Sequence, residues 1–283
     1  MSLINKIQRR IRSERRNRPL NKFVKRCTSK GIILRPYQAQ HLLRINNLVG
    51  WQDKTILEIG GDLEGTAARA IIMEGARHVT SINMDPKFDL NMDIPGVTRQ
   101  FMDARDLTFA ENSFDIVFGI AVLEHFSNFD KILEEICRVT SPGGFVYMYG
   151  GPLWNSALGH HLVVTGPSGT EYHFAKHNVM QDWLHLLHDR NSLSAELQQD
   201  GIQAADAEAI SEYIYHSELI NRSSWQEILE TCRNSSLQEV SHELYRPNTP
   251  EPELAEAIAA KTGLSLNDIT VSSMDVLLQK SPA

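Results

Sequence analysis

Between residues 55 and 150 the chain alternates two periodicities, and that alternation restricts its fold more than any other feature. "KTILEIG" and "HVTSINM" read as strands on either side of "TAARAIIMEG", whose apolar residues recur at helical spacing. "GVTRQFMD" supplies a third short strand, and "FDIVFGIA" a fourth, apolar enough to be central. "NFDKILEEICRVT" is then a helix with acids early and Arg138 late, as its dipole favours, and "SPGG" is expected to stop it before the strand "FVYMYG". "PYQAQHLLRINNLVG" adds a helix ahead of the first strand. Strands separated by helices build a parallel sheet covered on both faces, and right-handed crossovers leave few topologies. The first half is therefore a doubly wound α/β domain. Ligands of such sheets collect beyond the carboxyl ends of the strands, where Gly60 and Gly61 fall.

The turn itself, "ILEIGGDLEGTAARAI", has a chemistry of its own. Glycine permits positive φ and brings backbone N–H groups close to a ligand, while the N-terminus of the next helix favours negative charge. A carboxylate or phosphate is the expected guest, and a tight turn without a ligand is the alternative. Asp62 stands where a second Gly of GxGxxG would be, and no Lys follows Gly65, so neither the dinucleotide fingerprint nor a Walker loop is present.

Downstream, "FMDARDLTFAENSFDIVFGIAVLEHFSNFDKILEEICRVTSPGGFVYM" places several separated motifs in order. An Asp follows strand three, a "TFAENSFDIV" run enters strand four, "LEH" follows it, and "RVTSPGG" precedes strand five. Over about 56–150 the chain resembles the class I S-adenosylmethionine-dependent methyltransferases, in the branch with LEH after strand four. The resemblance implies a Rossmann-like, mostly parallel seven-stranded sheet and S-adenosyl-L-methionine as cofactor. It implies that Glu58, Gly60 and Gly61 lie near the methionine part, with Asp62 also among the cofactor-binding residues, that Asp103 and Ala104 meet the adenine edge, and that "GIAVLEH", with Ile120 and His125, lines the reacting side. The family's glycine-rich loop is altered here to "EIGGDLEG", and the acid that usually takes the ribose hydroxyls is Asn83. An amide forgoes the charge-assisted bond, so restoring the acid at 83 is expected to tighten cofactor binding.

The second half completes the family's sheet late, with "SWQEILETCRNS", "LQEVSHELYR" and "NDITVSSMDVLLQK" as a helix and an antiparallel strand pair. Residues 152–222 remain as an insertion after strand five, where a substrate lid is expected, within a methyltransferase domain of residues 31–283. Six of the eleven His fall in its first part, residues 152–190: His160, His161, His173, His177, His185 and His188. His173 and His177, and His185 and His188, have spacings that share a helical face, but neither pair has a clear third ligand, and no metal is expected. His185 and His188 read as packing or surface residues of a helix "VMQDWLHLLHD". His160 or His161 is preferred as the base that deprotonates an acceptor hydroxyl with a near-neutral pKa; His125 is the rival, with a turn-capping role as its alternative. Trp154, Tyr172 and Trp183 could cover a sugar ring, or be core. The implied acceptor is a small hydroxylated metabolite or glycan sugar.

Composition bounds the partners. At 283 residues and 42% hydrophobic content the chain can bury one large core. It has no run of 18 apolar residues and no secretory h-region, and Cys27, Cys137 and Cys232 lie in no CxxC pattern, so a cytoplasmic protein with packing cysteines is expected. The net charge of −7 hides a basic leader: residues 1–30 hold eleven Lys and Arg against Glu14 alone, a net +10. With Ile4, Ile7 and Ile11 at helical spacing and Pro19 ending or bending the helix, residues 1–26 could lie on an anionic membrane, or be a merely solvated segment. The acidic remainder, −17, disfavours nucleic acid. A nucleic-acid or protein methyltransferase recruited by the leader, and a catalytically silent homologue, are the competing readings.

Overall fold

A computed structural model describes residues 18–88 and 91–282. Its main sheet has seven strands in the order β3-β2-β1-β4-β5-β9-β8, and a separate hairpin pairs β6 with β7. The strands are β1 (Thr55–Ile59), β2 (His78–Asn83), β3 (Val97–Phe101), β4 (Phe114–Ile120), β5 (Thr140–Gly150), β6 (Val163–Thr165), β7 (Glu171–His173), β8 (Gln238–Tyr245) and β9 (Ser273–Gln279). β1 runs parallel to both β2 and β4, β2 runs parallel to β3, and β8 and β9 are antiparallel. The doubly wound, mostly parallel α/β sheet expected from the alternation is the one observed. Its order reverses between β1 and β4, the point at which such sheets bind ligands.

The chain divides into two compact units. The first comprises the residues up to 120, 138–147 and those from 280 onward. Helix α1 (18–29), α2 (Pro36–Leu48) and α3 (Thr66–Met73) belong to it. Its central strands β1 and β4 are buried on both faces, so they are near-continuous apolar runs; Ile56, Leu57, Ile116, Val117 and Phe118 are sealed from solvent. Trp51 packs on Phe118 at 5.8 Å between ring centres. Pro19 lies near the start of the helical residues 18–29. Phe23 and Cys27 are buried, and the Arg26 guanidinium donates to Glu74 at 2.7 Å, so the basic segment is already packed from α1 onward. Ile4, Ile7 and Ile11 lie outside the described residues. The helix α4 (Phe129–Val139) passes directly into β5, and "SPGG" is part of that strand instead of a turn before it.

The second unit comprises 121–137 and 148–279. It holds the β6–β7 hairpin, α5 (Leu184–Leu187), α6 (Arg190–Gln199), α7 (Ala204–His216), α8 (Trp225–Asn234), α9 (Pro252–Thr262) and α10 (Leu266–Thr270). Leu162, Tyr172, Met180, Leu193, Leu197 and Ile210 form one core cluster. Asp206 ties the hairpin to α7: it accepts from Ser168 N–H at 3.0 Å and from Tyr172 O–H at 2.8 Å. In a second cluster Ala157, Trp183 and Leu186 pack with Ile258 of α9 and Ile269 of α10. The helix expected over "VMQDWLHLLHD" shrinks to four residues, because Trp183 takes a left-handed backbone, φ 62°, as its indole N–H reaches Ile269 O at 2.9 Å. A long connection with α9 and α10 also separates β8 from β9, where a simple strand pair was expected. Among the described residues no helix is long and apolar enough to cross a membrane.

Candidate functional site

Parallel register brings the ends of four strands to one edge. Ile59 pairs with Ile82 and with Gly119, and Asn83 pairs with Phe101, so Gly60, Asn83, Asp103 and Ile120 follow one another around the switch point. Glu58 lies just inside, 3% exposed, and accepts the Ser81 hydroxyl at 2.6 Å. Burial, reinforced by the Asp62 charge, pushes its carboxyl up to about 8, against the pull of the Ser81 bond and the Arg99 charge. Gly61 must be glycine here, since a Cβ would stand 1.9 Å from Ser81 Oγ and 2.9 Å from Glu58 Oε2.

The turn differs from expectation in what its own groups do. The N–H groups of Gly60 and Gly61 both donate to Ile82 O, at 2.9 and 3.1 Å, instead of pointing at a ligand. Asp62 is a helix cap: Oδ1 accepts from Thr66 N–H at 2.8 Å, and Oδ2 from Ala67 N–H at 3.0 Å and the Thr66 hydroxyl at 2.8 Å. Its carboxylate fills the anion site at the start of α3. The acid in the glycine position therefore serves the fold, and the phosphate or carboxylate guest expected there has been supplied by the chain.

Asn83 bridges the loop. Its amide N–H₂ donates to Gly61 O at 2.8 Å, and its amide oxygen accepts from Asp85 N–H at 2.8 Å. An Asp could do only the second. Asn83→Asp should consequently loosen the turn by about 1–3 kcal/mol and weaken S-adenosylmethionine binding in calorimetry, the reverse of the sequence expectation. Tighter binding by a variant of unchanged melting temperature would refute this reading of Asn83. Asp103 accepts from Arg105 at both oxygens, with the guanidinium as close as 2.6 Å, and from Arg105 N–H at 2.8 Å. Ala104 behind it is buried. At this edge Glu58 is engaged with Ser81, Asn83 with Gly61 and Asp85, and Asp103 with Arg105, while Asp62 neutralises the helix terminus.

The histidines of the second unit separate. His160 is fully buried against His185, with ring centres 5.5 Å apart, and its Nδ1 accepts from Leu162 N–H at 3.2 Å. Burial, aided by the neighbouring His185 and His161, holds it down at about 3. The near-neutral base expected at His160 or His161 is at neither, since His161 is held equally low. His161, with φ 46°, turns the other way, onto Phe174 and His125, whose rings are 4.5 and 5.0 Å away. It too is held at about 3, by burial first. His125 is exposed; its Nδ1 lies 2.7 Å from Leu219 O, and a carbonyl only accepts, so Nδ1 carries a hydrogen and Nε2 is the nitrogen left for a ligand. Glu124, 2% exposed and absent from the sequence candidates, places Oε1 3.9 Å from that Nε2. Ligand atoms of Glu124, His125 and His161 all lie within 4.8 Å of one another. The two rival histidines thus belong to one cluster, 36 residues apart in the chain, and the only sequence signal for its third member was the acid in "LEH".

The remaining histidines do not share helical faces, and His185 is the packing residue expected from the sequence. His173 and His177 face each other across a tight antiparallel bridge, not along a helix. His185 is sealed against Trp154, its Nε2 2.7 Å from Trp154 O, while His188 lies beyond the end of α5. Tyr172 and Trp183 are core residues at 5% and 3% exposure, which removes two of the three rings proposed to cover a sugar.

Residues 57–148 match a family model described as a methyltransferase domain. The chain is 26% identical over 168 residues to 27-O-demethylrifamycin SV methyltransferase of Amycolatopsis mediterranei, covering 56% of each protein. It spans about half or less of the length of the curated relatives it matches. Among solved structures, an S-adenosylmethionine-dependent methyltransferase from Mesorhizobium loti aligns with a TM-score of 0.52 at 13% identity, over 86% of this chain and 98% of that one. Phosphoethanolamine N-methyltransferase 2 of Haemonchus contortus, solved with S-adenosyl-L-methionine, aligns with a TM-score of 0.51 at 16% identity, over 86% of this chain and 52% of that one. At these identities the structural likeness speaks for the fold: a Rossmann-like methyltransferase fold.

Proposed function

We propose that this chain is an S-adenosylmethionine-dependent methyltransferase that methylates a hydroxyl oxygen of a small metabolite. The single observation that carries the reading is the strand-end edge, where Glu58, Asn83 and Asp103 gather beside a turn whose anion site is already filled. The domain match over 57–148 and the neighbour solved with S-adenosyl-L-methionine support that cofactor. By the family pattern, the turn from Glu58 to Gly61 would lie beside its methionine part, Asn83 would brace the loop near the ribose, Asp103 and Ala104 would meet the adenine edge, and Ile120 would line the reacting end. When bound, the cofactor supplies a methyl group on a positively charged sulfur. The chain has to orient an acceptor and relieve it of a proton, and positioning is most of that task.

Glu124, His125 and His161 are the groups proposed to activate the acceptor hydroxyl. His160 is set aside, because a fully buried ring beside His185 meets no acceptor. A compact hydroxylated metabolite is favoured over a glycan, since Trp154 alone of the expected aromatic rings stays partly open. The test is transfer of labelled methyl from S-adenosylmethionine to a panel of phenols, alcohols and sugars. Labelled ether products support the reading; label in amines, protein or nucleic acid alone overturns the acceptor class, and cofactor binding without transfer to any acceptor favours the silent homologue.

A peripheral membrane contact is part of the same proposal. Residues 1–17 carry six Lys and Arg against one acid, enough to draw the segment to anionic lipid. Deleting 1–17, and not 1–26, keeps Phe23 and Arg26 in place. The deletion should abolish sedimentation with anionic vesicles at low salt while cofactor affinity stays unchanged; equal sedimentation of both forms would dispose of the idea.

A further inference from the structure

Within the second unit, Glu124, His125 and His161 have features that hydrogen bonding inside the protein does not use up. Glu124 Oε2 and His161 Nδ1 are buried atoms without a hydrogen-bond partner. Leaving such atoms unsatisfied costs about 1–3 kcal/mol each, and the two residues that carry them belong to one cluster with His125, which points to a shared ligand. His125 adds a third donor in a prepared state: its Nδ1–H is fixed on the Leu219 carbonyl, which leaves Nε2 for the cluster. That is the arrangement in which a metal-bound histidine is held, its outer nitrogen on a carbonyl and its inner one on the ion. The Asn221 side chain donates to Leu123 O at 2.5 Å and to Phe126 O at 3.1 Å, and its N–H to Glu124 O at 3.0 Å, so the turn that carries Glu124 and His125 is itself braced.

We propose that Glu124, His125 and His161 form a binding site for one divalent transition-metal cation of the zinc class. Two imidazoles and one carboxylate suit Zn²⁺, Co²⁺ or Fe²⁺ and do not suit Mg²⁺, which demands an oxygen shell. Three protein ligands leave a coordination position open, as in catalytic zinc sites, and His125, 42% exposed, gives the ion an entry path. The donors stand within 4.8 Å of each other, and bonds of about 2.1 Å in tetrahedral geometry bring ligands to roughly 3.4 Å apart, so the ion draws them in. The proposal deepens the reading of this cluster as the activator of an acceptor hydroxyl: the open position takes the acceptor oxygen.

The test uses the full chain, stripped with a chelator and titrated with cobalt(II) alone, without cofactor or acceptor. One equivalent should produce the visible d–d absorption of a low-symmetry, nitrogen-ligated site, and one equivalent of zinc should abolish it. His161→Ala and the near-isosteric Glu124→Gln should each weaken cobalt binding at least 10-fold at unchanged far-ultraviolet circular dichroism. His242→Ala, which removes a surface His beside Glu239, should leave it intact. No absorption in the wild type, or equal binding by His161→Ala and Glu124→Gln, overturns the site. Because the readout needs no methyl transfer, a chain that binds cobalt here without binding S-adenosylmethionine would sink the methyltransferase reading alone. Cofactor binding without the cobalt site would sink only this inference.

Discussion

Glu58→Gln is expected to flatten the pH dependence of stability in the cofactor-free chain. The Glu58 carboxyl is sealed in the sheet beside Asp62, and its folded value is about 8 against 4.5 for the free side chain, so between those values the folded chain holds a proton that the unfolded chain has released. Unfolding then releases that proton, and stability falls as pH rises. The slope is about 1.4 kcal/mol per pH unit, and it fades below pH 4.5 and above 8, where the two states agree. Over the window the wild type loses roughly 4 kcal/mol that the amide variant keeps. Urea midpoints of the two proteins from pH 5 to 9 measure it. Parallel curves would mean that Glu58 is ionised in the fold. A cationic ligand beside Glu58 would favour its charged form, so wild-type cofactor binding near pH 7 should release a proton that Glu58→Gln does not.

The second large effect separates two neighbouring histidines. His161→Ala should lower turnover by roughly 10- to 100-fold with S-adenosylmethionine affinity unchanged, since the ring, held at about 3, acts on the acceptor together with Glu124 and His125 and not as a free base. The defect should ease as pH rises and the acceptor ionises unaided. His160→Ala should instead act through folding: it removes a ring packed inside the second unit against His185, so melting temperature should drop while turnover per folded molecule holds. Near-normal turnover in His161→Ala together with loss in a stably folded His160→Ala would reverse the assignment.

The parts of this account that were legible in the sequence are those set by local periodicity. Strands β1 to β4 and helices α2 and α3 follow from apolar spacing and end near where Gly60, Gly61 and Pro36 place them. "FVYMYG" marked β5 in the same way, although "SPGG" belongs to that strand, and the family pattern supplied the late antiparallel pair β8 and β9. What stayed hidden depends on partners distant in the chain. Asp62 looked like a damaged glycine position, because its role as a cap appears only once α3 is known to start at Thr66. Asn83 looked like a weakened ribose ligand, because Gly61 O, 22 residues back, takes its amide hydrogens. Trp183 cut short a helix by reaching Ile269, 86 residues on. Consecutive residues His160 and His161 could not be told apart by spacing, yet a left-handed backbone at 161 sends one ring into the core and the other to His125.

The most direct test of the central claim is calorimetric titration of the full chain with S-adenosylmethionine and with its demethylated product. The account predicts one site for each, and it predicts that Asp103→Ala weakens both by about 1–3 kcal/mol while the circular dichroism spectrum is kept, because the adenine edge loses its acceptor. Absence of binding by the folded wild-type chain, or identical affinity in a folded Asp103→Ala variant, would contradict it.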